Sequence, residues 1–326
     1  MSVKDTILNE IIEVCNKGDL SKGLILALTA ESDYPDDMDV LRMVADVYEA
    51  RNNMLASAEY YFKILQLEPN DNFANFKMSD FIYIFLKQNP ELAREYLRKW
   101  QEVAGDSQIT RVLSRTLQGH ESDYGSEFTQ LLFDDFAPSF DLVLAKLCYA
   151  TPFMLAKRLE KTIKNSVESI IDVGCGTGLC AGALRQFSDR IVGVDISPKM
   201  LEKAKEKSIY SKVICQDILS LSSEEKFDIA VAADVFTYFR DVKLPLEKMR
   251  SVVKDKGYIL FTIVTPEKFT FKKVMQEPNG RYDHVLHHII KIAKKMRLKV
   301  VAKDYYIMRK EMGKNIKGVL LTLRKA

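Results

Sequence analysis

The chain has 326 residues, 47% of them hydrophobic, and a formal net charge of +3. That length and composition support a sizeable core and two domains of ordinary size. No run of about twenty apolar residues occurs, and Met1–Thr6 lacks the basic-then-apolar design of a signal peptide, so a cytoplasmic protein without a membrane span is expected. Cys15, Cys148, Cys175, Cys180 and Cys215 show no metal-ligand spacing, which predicts reduced structural thiols and no metal. Charge is uneven. Residues 1–118 carry 13 Lys and Arg against 19 Asp and Glu, and residues 119–326 carry 35 against 26. The imbalance either reflects solvated helix faces or steers an acidic substrate to the second part.

Residues 1–118 read as helices throughout, with apolar positions at three-and-four spacing. Leu41, Val44, Ala45 and Tyr48 share one helix face, and Ser57, Tyr61 and Ile64 share a face on the next. A shift of 34 residues places Pro69 on Pro35, and Asn89-Pro90-Glu91 opens a further helix carrying Tyr96 and Trp100 as packing residues. A helix-turn-helix period of this length, with small residues at crossings and a closing proline, resembles the tetratricopeptide repeat. The match is best over residues 38–71 and weaker elsewhere.

The polar stretch Gln118–Gly125 breaks the pattern and sets the expected boundary, giving a repeat domain at 1–118 and a second domain at 119–326. Two helices should follow, one containing Phe133–Asp141 and one starting at Thr151-Pro152. From Ser169 onward, strand, loop and helix alternate, which predicts a mainly parallel α/β sheet with helices on both faces. The strand-like runs are Ile170–Val173, Ile191–Val194, Val213–Cys215, Ile229–Ala232, Tyr258–Val264, Lys299–Ile307 and Val319–Leu323. Only the eleven residues 308–318 separate the last two, too few for a crossover helix, so they should form an antiparallel hairpin.

Directly after the first run comes Asp172-Val173-Gly174-Cys175-Gly176-Thr177-Gly178, followed by a helix expected near Leu179. Its D-x-G-x-G-x-G spacing differs from the G-x-G-x-x-G of dinucleotide sites. Glycines let the backbone approach the amino-acid part of S-adenosylmethionine (SAM), and Asp172 is placed to engage its ammonium group. Asp195 ends the second strand, 21 residues after Gly174, where a carboxylate accepts from both ribose hydroxyls. Met200 is a candidate to pack on the adenine and Ile218 to cover it. Asp217 either accepts from the adenine amine or caps a helix. The full set of candidate cofactor residues is Asp172, Gly174, Cys175, Gly176, Gly178, Asp195, Ile196, Met200, Asp217, Ile218 and Ala233.

Ala233–Tyr238 follows the fourth strand, at the carboxyl edge where a reacting methyl group would lie. Methyl transfer from a sulfonium is an in-line displacement governed mainly by alignment, and a base is needed only when the nucleophile arrives protonated. The candidate bases are Asp234, Tyr238 and His284, with Tyr282 and Asp283 beside the last. His287 and His288 lie next to His284 on what reads as one amphipathic helix.

Taken together the chain resembles class I SAM-dependent methyltransferases, and more narrowly the bacterial predicted methyltransferases with N-terminal tetratricopeptide repeats. Beyond the glycine loop the likeness rests on Phe133–Asp141, Ala233–Phe239 and Gly280-Arg281-Tyr282-Asp283-His284 opening the last helix. It implies a Rossmann-like seven-stranded sheet in the order 3-2-1-4-5-7-6 with the last strand antiparallel, SAM as donor, and S-adenosylhomocysteine (SAH) as product. It also implies that residues 119–165 form an N-terminal lid. Phe136 and Phe140 stand there where related enzymes often have hydroxylated aromatics.

A small-molecule acceptor is the leading expectation. The alternative is a protein acceptor gripped by the repeats, and a SAM-binding scaffold without transferase activity is a third reading. Nucleic acid is disfavoured: Lys291, Lys294, Lys295, Arg297, Lys299 and Lys303 fit a solvated face without interleaved aromatics, and no Asn-Pro-Pro-aromatic motif follows the fourth strand.

Overall fold

The structure is a computed structural model that describes residues 3–118, 126–266, 273–276, 281–311 and 314–326. It separates into two compact units, the bulk of residues 1–122 and residues 123–311 with 315–326.

The first unit is helical: α1 Val3–Asn16, α2 Leu20–Asp33, α3 Met38–Ala50, α4 Met54–Leu67, α5 Asn72–Gln88, α6 Pro90–Ala104 and α7 Gln108–Leu117. Each helix packs on the next in sequence. The starts are set locally, because Asp19, Asp37, Asn53, Asp71 and Asn89 each accept a hydrogen bond from a first-turn N–H. Pro90 occupies the first turn of α6, where its missing N–H costs nothing. Leu41, Val44, Ala45, Ser57, Tyr61 and Ile64 are fully buried, whereas Tyr48 is half-buried and stacks on Tyr60. The Ser57 hydroxyl donates to the Ala45 carbonyl at 2.9 Å, which explains a small residue at that crossing. Trp100 and Tyr96 are buried packing residues, with the indole N–H donating to Asn75 at 2.6 Å and the phenol bonded to Glu59.

The second unit opens with α8 Ser126–Phe136, α9 Phe140–Lys146 and α10 Thr151–Thr162. The segment Phe133–Asp141 is therefore not one helix but straddles two, broken at Ala137-Pro138-Ser139, where proline cannot continue the hydrogen-bond ladder. There follow β1 Ile170–Val173, α11 Ala181–Arg185, β2 Ile191–Asp195, α12 Pro198–Glu206, β3 Lys212–Cys215, β4 Phe227–Ala232, α13 Lys243–Val252 and β5 Val253–Val264. Then come β6 Val274–Gln276, β7 Tyr282–His284, α14 Leu286–Lys295, β8 Leu298–Glu311 and β9 Lys314–Lys325. The main sheet has seven strands in the order β3-β2-β1-β4-β5-β9-β8. Strands β1 to β5 pair in parallel and β9 runs antiparallel to β5.

The central strands are mostly apolar because both faces are covered, with Asp172 and Asp195 as charged exceptions near the carboxyl ends of β1 and β2. Ile171, Val173, Ala230, Phe261 and Leu321 pack against Leu246, Met249 and Ile289 on one side. Ile170, Ile229, Val231, Leu260 and Leu320 pack against Leu155, Leu159 and Leu184 on the other. One further segment differs from the sequence expectation. Tyr282–His284 forms β7, paired antiparallel with β6, instead of opening the last helix, which begins at Leu286. A three-residue strand whose Tyr282 and His284 both point inward is too short for periodicity to separate from a helix start.

No described helix is long and apolar enough to cross a membrane. Among the described residues no group of His, Cys, Asp or Glu is arranged to hold a metal. All five cysteines are free thiols.

Candidate functional site

The candidate site lies at the carboxyl ends of β1 to β4. After β1 the chain turns sharply through Gly174, Gly176 and Gly178, all at positive φ. At Gly174 the φ of +70° and a Val235 methyl 2.3 Å from where a Cβ would stand both require glycine. Gly178, at φ +84°, is closed to a side chain by the Tyr210 ring. The turn ends in α11.

Asp172 is 1% exposed. Its Oδ2 accepts from the Tyr210 hydroxyl at 2.7 Å, and its buried Oδ1 has no hydrogen-bond partner among the described residues. Burial pushes its carboxyl up to about 7, with the Tyr210 hydrogen bond opposing and nearby Asp195 adding to the rise. Asp195 closes β2. Its Oδ2 accepts from Gly176 N–H at 2.7 Å and its Oδ1 from Ser197 N–H at 2.9 Å. Burial raises its carboxyl as well, against the pull of these backbone donors. With the Ile196 N–H, three backbone donors face a carboxylate that has about four acceptor sites, so acceptor capacity remains for ribose.

The remaining candidates divide. Cys175 is buried, and burial pushes its thiol well up. The Ile196 carbonyl accepts from the Cys215 thiol at 3.5 Å. Met200 is fully buried in α12, its N–H held by the Ser197 hydroxyl at 3.1 Å. Asp217 caps the short helical turn Ile218–Ser220 through Leu219 N–H at 2.8 Å, and its other oxygen is bonded to the Ser126 hydroxyl. Of the two sequence readings of Asp217, the cap is the one with a partner. Ile218 is buried beside it, and Ala233 is half-buried at the end of β4.

Helices α8 and α9 fasten onto this edge. Asp134 accepts from the Ser197 hydroxyl at 2.5 Å and from Lys199 N–H at 3.2 Å. Asp141 is bonded to the Thr177 hydroxyl of the glycine loop and to Lys207 at 2.6 Å. The Phe140 ring comes within 3.8 Å of where a Gly176 Cβ would stand and packs edge-on against Phe133 and Phe136. Phe133 in turn meets the Tyr238 ring at 5.3 Å. These contacts are aromatic and ionic; phenylalanine at 136 and 140 supplies no hydroxyl.

The β4 edge is tied differently. Asp234 sits at φ +62°, its N–H donating to the Thr262 hydroxyl at 2.7 Å and its Oδ2 accepting from Arg309 at 2.5 Å. Arg309 comes from β8 and is 3% exposed. Tyr238 ends the turn Phe236–Tyr238 with Arg281 over its ring at 5.8 Å. His284 does not lie with His287 and His288 on a helix. It is buried on β7 with Nε2 3.0 Å from the Phe236 carbonyl, and burial lowers its basicity. Asp234 Oδ2 and His284 Nε2 thus each help hold the turn in place. Tyr282 is buried next to His284, with its carbonyl accepting from Thr237 at 3.3 Å.

Residues 171–261 match the family described as "Methyltransferase domain". The chain carries a class I SAM-dependent methyltransferase domain. Among curated proteins it is 30% identical over 156 residues to a malonyl-[acyl-carrier protein] O-methyltransferase of Priestia megaterium, covering 47% of this chain and 54% of that protein. It is 26% identical over 113 residues to a ubiquinone biosynthesis O-methyltransferase of Coxiella burnetii, covering 33% and 48%. The chain thus spans about half the length of the curated relatives it matches. Among solved structures, the [4+2]-cyclase SpnF aligns with a TM-score of 0.53 at 16% identity, covering 61% of this chain and 96% of that one. That likeness speaks to fold alone.

SAM fits the residues present. A buried carboxylate oxygen without a donor, at the glycine turn, is what an ammonium group would satisfy. Asp172 and the glycine loop would hold its amino-acid end and Asp195 its ribose. Sequence reasoning passed over Tyr210, Arg309 and Thr262, none of which lies in a motif. It singled out the segment containing Asp134 and Asp141 but not their partners.

Proposed function

We propose that the protein transfers a methyl group from SAM to an oxygen atom of a small acceptor. The observation that carries the reading is the lid: Phe133, Phe136 and Phe140, pinned by Asp134 and Asp141, pack over the glycine loop and against Tyr238. Such an aromatic cover excludes water and suits a compact organic acceptor better than a folded chain. The malonyl and ubiquinone-pathway relatives, both O-methyltransferases, point the same way.

Bound SAM supplies an electrophilic methyl carbon on a sulfonium. The chain's own part is positioning. The glycine loop and Asp195 fix the donor, the lid excludes water, and the rigid β4 edge sets the line of approach. With Asp234 committed to Arg309 and His284 to a carbonyl, the arrangement favours an acceptor oxygen that is already ionised, such as a carboxylate, which requires no base.

The helical unit is read as a tetratricopeptide-like partner surface, on the strength of its caps and the residue 38–71 pattern, in a cytoplasmic enzyme whose second domain spans 119–326. The test is incubation with methyl-labelled SAM and a cell extract divided into metabolite, protein and RNA fractions. Label in the metabolite fraction is expected, as base-labile esters for a carboxylate acceptor. Label confined to protein would reverse the assignment.

A further inference from the structure

Tyr210 lies in the turn between α12 and β3, outside every motif, yet its ring sits in the middle of the site. A Cβ on Gly178 would stand 2.9 Å from the ring, and one on Gly193 would stand 3.2 Å from it. Gly193 has no unusual backbone angle that needs glycine, and a side chain there would meet Cys175 Sγ at 2.9 Å as well as the Tyr210 ring, so close packing of these two residues is its reason for being there. The ring thus props the glycine turn from below, and the hydroxyl reaches Asp172 Oδ2 at 2.7 Å. The neighbouring Oδ1 is buried with no partner.

We infer that Tyr210 is a positioning residue for the amino-acid end of the cofactor, its hydroxyl fixing one oxygen of Asp172 so that the other remains for the ligand's ammonium group. The inference rests on the cofactor reading above. A carboxylate with one oxygen anchored can be held at the geometry a charge-assisted hydrogen bond needs without reorganising on binding.

The arrangement has a pH signature. The groups facing Asp172 are Tyr210, Asp195, and the thiols of Cys175 and Cys180. Burial pushes both thiols and the Tyr210 phenol far above neutrality, so they stay protonated. Asp195 is raised too, but three backbone N–H groups hold it down. The Asp172 carboxyl is pushed up to about 7, into the range the titration covers, and the Tyr210 hydrogen bond lowers it from a still higher value.

The test is calorimetric titration of the full chain with SAH between about pH 5.5 and 7.5, below the ordinary range of an α-amino group. Wild-type affinity should rise with pH as Asp172 ionises. Tyr210→Phe keeps the ring, so the turn stays supported. It should bind about 5- to 10-fold more weakly at neutral pH, with the rise displaced to higher pH, and Asp172→Asn should bind weakly with a flat profile. A Tyr210→Phe profile that coincides with wild type, or is weakened equally at every pH alongside a lowered melting temperature, would overturn the positioning role and leave the cofactor reading intact. Absence of SAH binding by the wild-type chain would overturn both.

Discussion

The β1–β3 edge and the β4 edge lie side by side on one sheet but treat their polar groups in opposite ways. At the first, Asp172 keeps an oxygen buried and, among the described residues, unpartnered, and Asp195 keeps acceptor capacity beyond its three backbone donors. At the second, Asp234 is locked to Arg309, and His284 to the Phe236 carbonyl. The contrast teaches that one edge carries unspent electrostatics for a ligand to complete. The other spends its electrostatics internally and gains rigidity.

The comparison breaks most visibly at Arg309. Arg309→Met removes the partner of a carboxylate whose backbone is held at positive φ, and should cost about 3–5 kcal/mol of unfolding free energy. Denaturant titration measures it, and adding Asp234→Asn should recover much of the loss. If the single variant is as stable as wild type, the β4 edge is not held by this pair. At the other edge, Asp195→Ala should weaken SAH binding by about 1–3 kcal/mol. Unchanged affinity by calorimetry would remove Asp195 from the ribose position.

Asp172→Asn sharpens the comparison through pH. The folded carboxyl titrates near about 7 and the unfolded one in the ordinary carboxylate range, so the folded state holds a proton that the unfolded state gives up. The group therefore opposes folding increasingly as pH rises from about 4 to about 7, and by a constant amount above. The amide variant, measured without ligand, should gain about 1–2 kcal/mol at pH 8, a gain that vanishes toward pH 4. A variant less stable than wild type at pH 8 would mean that the second Asp172 oxygen, beyond the one bonded to Tyr210, has a protein partner after all. The smallest effect is expected at His284. His284→Gln should cost about 1 kcal/mol of stability and leave the pH dependence of methyl transfer unchanged. A lost ionisation in the rate profile with stability intact would restore it as a base.

Recurring local patterns made the architecture legible. Strands β1 to β5 and β9 each announce themselves as apolar runs, because a sheet covered on both faces admits little else. The glycine turn was legible because positive φ at close quarters selects glycine whatever surrounds it. The aromatic cluster Phe133, Phe136 and Phe140 was legible in the sequence, though the break at Pro138 and the anchoring of Asp134 and Asp141 were not. Tyr282–His284 read as helix because three residues carry no period, and His287 and His288 supplied a misleading one.

The sequence by itself determined the order of strands and helices, the place of the glycine loop, and a carboxylate at the end of each of the first two strands. These depend on spacing within a few residues, which local sterics and burial impose directly. Only the tertiary structure decided which polar atoms remain unspent. Tyr210 meets Asp172 across 38 residues of sequence and Arg309 meets Asp234 across 75. Pairings at that range are made by the way strands stack, so the same carboxylate can be a ligand-binding group or a structural strut according to what folds against it.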